Sequence, residues 1–85
     1  MEMSQQTNLE TLIREIVEKV TKIKMGQVGS EEDLVEKYGM DSMQRIEIVI
    51  AIEKHFNVSI PDAEAGEVRT LRTFVQVVLR YLSEK

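Results

Sequence analysis

The 85-residue sequence predicts an all-α protein, an irregular four-helix bundle with three longer helices, a short third helix and a long first connection. Three observations point there. Apolar residues return at helical spacing in three separate segments. A glycine-punctuated stretch parts the first two of these segments, and a proline interrupts the pattern before the last.

The first helix is marked by Leu9, Leu12, Ile13, Ile16, Val17 and Val20, with Ile23 beyond, which fall on one face at i, i+3, i+4, i+7 spacing. Thr7, followed three residues later by Glu10, reads as a capping box at its start, and Gly26 as its stop. Residues 1–7 are expected to form a flexible N-terminal segment. Over 26–40 the periodicity lapses into a connection long enough to suggest function. Ser30-Glu31-Glu32-Asp33 supplies a helix-start signal, giving a helical turn from Ser30 towards Tyr38, with Leu34 and Tyr38 pinning it to the core. The acidic run lacks the ligand spacing of a calcium loop and reads as a solvated helix start.

A second long helix is expected to start at Asp41-Ser42, with Asp41 as its N-cap, and to run to about Phe56. Met43, Ile46, Ile48, Val49, Ile50, Ile52 and Phe56 cover more than half of its circumference. Such a helix is either central or keeps apolar groups exposed for a partner. Pro61 disfavours helix at Ile60 and opens a short third helix over 61–68, which Gly66 weakens by about 1 kcal/mol relative to Ala. Thr70 can cap the last helix, where Leu71, Phe74, Val75, Val78, Leu79 and Leu82 repeat the spacing of the first.

A chain of this size builds one modest core, so 1–85 reads as a single domain and a deep catalytic pocket is not expected. The sequence has no cysteine, which excludes a disulfide framework and thiolate metal sites and fits a reducing, cytoplasmic setting. No stretch approaches the roughly 20 apolar residues of a membrane helix, and residues 1–8 lack the order of a secretory signal. The net charge of −4 argues against nucleic-acid binding and favours basic partners.

Ser42 opens the second long helix, where unpaired N–H groups and the helix dipole favour a negative group such as a phosphodiester. By itself a serine at a helix start is usually a cap. The context is wider. Tyr38-Gly39-Met40-Asp41-Ser42-Met43 and Arg45-Ile46-Glu47-Ile48-Val49 resemble the attachment region of acyl carrier proteins, which carry Asp-Ser-Leu there. The resemblance runs on through Ala51-Ile52-Glu53, Phe56, Ile60-Pro61-Asp62-Ala63-Glu64 and Thr70-Leu71.

The resemblance implies an acyl-carrier-like bundle in which Ser42 is joined to 4'-phosphopantetheine drawn from coenzyme A, with Asp41 as its motif partner. The arm's thiol would carry acyl chains as thioesters for fatty-acid, polyketide or specialised lipid enzymes. The sulfur is then imported with the cofactor. Implied partners are a phosphopantetheinyl transferase and acyl-transferring or synthase enzymes, and the protein is not itself an enzyme. A monomer is expected because the two strongest amphipathic helices can bury their stripes within one bundle. His55, the only histidine, lies too far along the helix from Ser42 to serve as its base, about 20 Å at 1.5 Å per residue. Docking is expected on a stripe of Met43, Glu47, Ile50 and Lys54, with Met43 and Ile50 as apolar contacts.

Several residues depart from the family pattern. Met43 replaces Leu, conserving volume. Gln44, Arg45 and Lys54 stand on a helix that is usually acidic, and Arg69, Arg72 and Arg80 make the last helix basic. These charges imply enzymes other than the general fatty-acid synthesis set, and Gly66 could ease movement of the third helix. Two alternatives remain: a peptidyl or D-alanyl carrier, which the Gly-Met-Asp-Ser form resembles less, and an unmodified helical interaction module.

Overall fold

The computed structural model describes residues 2–83, with side chains from residue 8 onward. Its described backbone is helical without strands: α1 Glu2–Thr21, α2 Leu34–Tyr38, α3 Ser42–Phe56, α4 Asp62–Ala65 and α5 Leu71–Ser83, with a 3-10 turn at Met25–Gln27. The long-long-short-long order is as expected, and α2 is the helical turn within the first connection. α1 packs against both α3 and α5, so α1 rather than α3 is central among the long helices. One face of α3 is therefore left to solvent.

Several boundaries differ from expectation. α1 is helical from Glu2, so Thr7 lies inside it and does not start it. The stretch Glu2-Met3-Ser4-Gln5-Gln6 holds no glycine or proline to stop the helix earlier. Of the segment 1–7, expected to be flexible, the backbone of 2–7 is helical, while Met1 and the side chains of 2–7 lie outside the described residues. Glu10, instead of completing a capping box, accepts from Arg14 Nε and Nη2 at 3.2 and 3.1 Å and from Ser30 Oγ at 3.3 Å. The helix ends at Thr21, before Gly26, because Lys22 turns left-handed at φ 68° and its N–H closes on the Glu18 carbonyl at 2.7 Å.

The core gathers one apolar face from each long helix: Leu9, Ile13 and Val17 from α1, Ile48, Val49 and Ile52 from α3, and Leu71, Phe74 and Val78 from α5. The first connection adds Met25, Val28, Leu34 and Met40, all buried. Burying one such side chain contributes about 1.5–3 kcal/mol, so the connection is a structural part of the bundle. Tyr38 is half-buried beside it, its hydroxyl donating to Glu32 Oε1 at 2.7 Å.

Asp33, not Ser30, caps α2, since its Oδ1 accepts from the N–H groups of Val35 and Glu36, both at 2.9 Å. Two backbone bonds tie the connection to the far end of the chain: Leu34 N–H to the Arg69 carbonyl at 2.8 Å, and Arg72 N–H to the Ser30 carbonyl at 2.9 Å. Arg14 holds it from the other side, with Nη1 on the carbonyls of Met25 and Val28. Pro61 precedes α4 as its N-cap, and the helix closes at Ala65, shorter than the expected 61–68. Beyond Gly66 the chain continues in i→i−3 turns while Val68 is drawn into the core. Thr70 caps α5 as expected, its Oγ1 accepting from Thr73 N–H at 3.1 Å.

Candidate functional site

The start of α3 is built by four consecutive residues. Gly39 ends α2 in the left-handed conformation at φ 76°, which a side chain would resist. Met40 follows as a buried anchor whose N–H reaches the Leu34 carbonyl at 3.0 Å. Asp41 then caps α3: its Oδ1 accepts from Gln44 N–H at 2.8 Å, and Gln44 Oε1 accepts from Asp41 N–H at 3.2 Å. This reciprocal capping box fixes the first turn. Ser42 is the first residue of the 15-residue helix and is exposed to solvent. The helix end above it offers backbone donors and a partial positive charge to any anion on its hydroxyl.

Along α3, Met43, Ile46 and Ile50 stand out at 69%, 54% and 44% exposure. They follow one another at i, i+3 and i+7, which places them on one face. Met43 and Ile50 had been singled out from the sequence. Ile46 had not, although it shares their spacing. Glu47 and Lys54 are exposed beside this stripe, while Ile48, Val49 and Ile52 face the core.

Between the start of α3 and α4 lies a cleft of about 420 Å³ lined by Ser42, Arg45, Ile46, Val49, Asp62, Ala65 and Gly66. Arg45 crosses it and donates from Nη1 to the Gly66 carbonyl. Nothing in the local sequence signals this contact, because it joins residues 21 apart.

The basic residues expected at the last helix pair on the surface with carboxylates of this chain. Arg69 Nε lies 2.8 Å from Asp33 Oδ2, Arg72 Nη1 3.0 Å from Glu31 Oε2, and Arg80 Nη1 2.6 Å from Glu64 Oε1. The acidic run Glu31-Glu32-Asp33 is thereby committed to cations of this chain, with Lys37 on Glu32. Glu32 is held at about 2 instead of its ordinary 4.5 by the Lys37 ammonium, the Tyr38 hydroxyl and the Gly29 N–H. The Arg69 guanidinium likewise holds Asp33 below its ordinary range, helped by the Glu36 N–H.

Residues 11–78, four-fifths of the chain, match the family described as phosphopantetheine attachment site. The chain belongs to that family and is a phosphopantetheine carrier protein. Its prosthetic group is covalently attached 4'-phosphopantetheine, and carriers of this kind meet phosphopantetheinyl transferases and acyl-handling enzymes. Among the described residues no helix is long and apolar enough to cross a membrane.

Proposed function

We propose that Ser42 is the attachment residue and that the chain is an acyl carrier, delivering thioester-bound acyl groups to enzymes of fatty-acid, polyketide or a specialised lipid pathway. The exposed hydroxyl of Ser42 at the start of α3, set by the Asp41–Gln44 capping box, carries this reading. The residues present fit the group: the hydroxyl is accessible, and the first turn of a long helix stabilises the phosphodiester formed there. Asp41 contributes by fixing that turn. The arm supplies the thiol, which explains how a chain without cysteine serves thioester chemistry.

Among the described residues no side chain bonds the Ser42 hydroxyl as a base, and in this reading a separate transferase activates it while other enzymes act on the cargo. The protein works as a cytoplasmic monomer. Met43, Ile46 and Ile50 form the apolar centre of the surface those enzymes meet, with Glu47 and Lys54 as its charged rim.

Intact-protein mass after incubation with coenzyme A and a broad-specificity phosphopantetheinyl transferase tests the assignment. The wild-type chain gains the mass of one phosphopantetheine and Ser42→Ala gains none. A gain that survives in Ser42→Ala places the arm elsewhere. No gain on a folded wild-type protein returns the unmodified interaction module.

A further inference from the structure

Arg45 differs from the other four arginines of the chain. Arg14, Arg69, Arg72 and Arg80 each lie within 3.1 Å of a carboxylate oxygen. Arg45 makes no ion pair among the described residues and spends Nη1 on the neutral carbonyl of Gly66. Its Nε is enclosed and has no acceptor, the one buried side-chain nitrogen or oxygen among the described residues left so. An enclosed donor without an acceptor is costly, and a guanidinium cannot relieve that cost by losing its proton. The cleft beside Ser42 therefore holds a permanent positive charge with an unused donor. Asp62 lines the same cleft without pairing with it.

The wall opposite α3 can yield. α4 is four residues long and buries none of them. It is held by the Arg45 link at Gly66 and, from the other side, by Arg80 and Tyr81 on Glu64. Elements with so few buried contacts open at low free-energy cost. When α4 shifts, the Nε edge of Arg45 becomes reachable, and that edge presents two parallel N–H donors matching two oxygens of a phosphate or carboxylate. Arg45 lies one helical turn beyond Ser42, within reach of an anion attached there.

We propose that Arg45 is the residue by which this cleft binds an anionic oxygen brought in by the arm, either the phosphodiester itself or an acidic group on the acyl cargo. The proposal rests on Ser42 being the attachment residue. It makes Arg45 a specificity-determining residue: the other lining groups Ile46, Val49 and Ala65 accept any aliphatic segment, whereas the guanidinium rewards a negative one.

The test follows the Arg45 Nε–H signal by nitrogen-15 NMR in four forms of the wild-type protein: unmodified, carrying the free arm, and carrying the arm loaded with succinyl or with the neutral butyryl group. The expected result is a downfield shift and exchange with water slowed about tenfold or more when the anion is bound. A change on attachment of the free arm identifies the phosphodiester. A change with succinyl but not butyryl identifies the cargo carboxylate. An unchanged signal in every form, with loading verified by mass, overturns the proposal and leaves the carrier reading intact. Failure to load at all removes both. Thermal melting gives a second readout: any stabilisation that accompanies the shift is lost in Arg45→Gln and reduced in Arg45→Lys, which keeps the charge without the fork. The same stabilisation in all three proteins would also overturn it.

Discussion

Lys22 closes α1 in the left-handed conformation, φ 68°, where a side chain crowds its own backbone. Such a residue costs about 1–2 kcal/mol relative to its right-handed form. The chain elsewhere uses residues suited to this conformation: Gly39 ends α2 at φ 76° and Asn57 ends α3 at φ 56°. Lys22 is exposed and takes part in no ion pair among the described residues, so its side chain offers little in return. Lys22→Gly is expected to stabilise the protein by about 1 kcal/mol, a rise in melting temperature of roughly 4–8 °C for a domain of this size. Calorimetry of the two proteins checks this, and a lowered melting temperature would show that the lysine stem contributes packing larger than the strain. Sequence reading placed the helix stop at Gly26 because glycine is the usual left-handed residue. It could not see that Lys22 bends early to bring Met25 into the core. Asp41 was legible for the opposite reason: a cap involves only its own next three residues.

At the scale of elements, the first connection is the least regular part of the chain and the most heavily fastened. It contributes four buried side chains, while its acidic residues reach α5 and the α4–α5 segment through Arg72 and Arg69. The sequence showed the acidic run and two of its apolar anchors, Leu34 and Tyr38. It did not show Met25, Val28 and Met40 as core, because isolated apolar residues in a loop have no period to mark them. Nor did it show which cation each carboxylate meets, since those pairs join residues 36 and 41 positions apart. The fastening is acid-sensitive. The Lys37 ammonium holds Glu32 down at about 2 against an ordinary 4.5, and the Arg69 guanidinium also lowers Asp33. A lowered folded value means a contribution fully present above the unfolded pKa and lost as pH falls through the folded one. The connection should therefore loosen progressively as pH drops from about 4.5 towards 2. Hydrogen exchange of the α2 amides at stepped pH measures this. The amides should open more readily across that window in the wild type, whereas Glu32→Gln should start looser and vary less. A flat wild-type profile would show that the carboxylate contributes nothing to holding α2.

At the scale of the whole molecule, charge and apolar surface divide the bundle into two sides. Arg69 and Arg72 pair with Asp33 and Glu31 of the first connection and Arg80 with Glu64 of α4, so that with Arg14 on Glu10 four of the five arginines meet this chain's own carboxylates. The α3 face carries the exposed Met43, Ile46 and Ile50, with Glu47 and Lys54 beside them. The all-helical architecture was legible from periodicity alone, and the over-wide apolar content of α3 left two options, a central place or an exposed apolar face, of which the fold takes the second. The distribution of charge was not, because a count of arginines cannot say which are already paired. This alters the basis for partner choice. On the proposed reading, Arg69, Arg72 and Arg80 are already paired within the chain and discrimination between partners would fall to α3. Met43→Ala and Ile50→Ala should each lower the kcat/KM of the phosphopantetheinyl transferase by about tenfold, the usual scale for an apolar contact at the centre of an interface. Their melting temperatures should stay close to that of the wild type, since both side chains are exposed and alanine favours helix. Arg72→Gln should behave in reverse: the loss of one exposed ion pair, worth about 0–1 kcal/mol, lowers stability slightly and leaves kcat/KM within about twofold. If Arg72→Gln instead impairs the transferase as much as Met43→Ala does, the enzyme reads the α5 side, and its ion pair with Glu31 opens during docking.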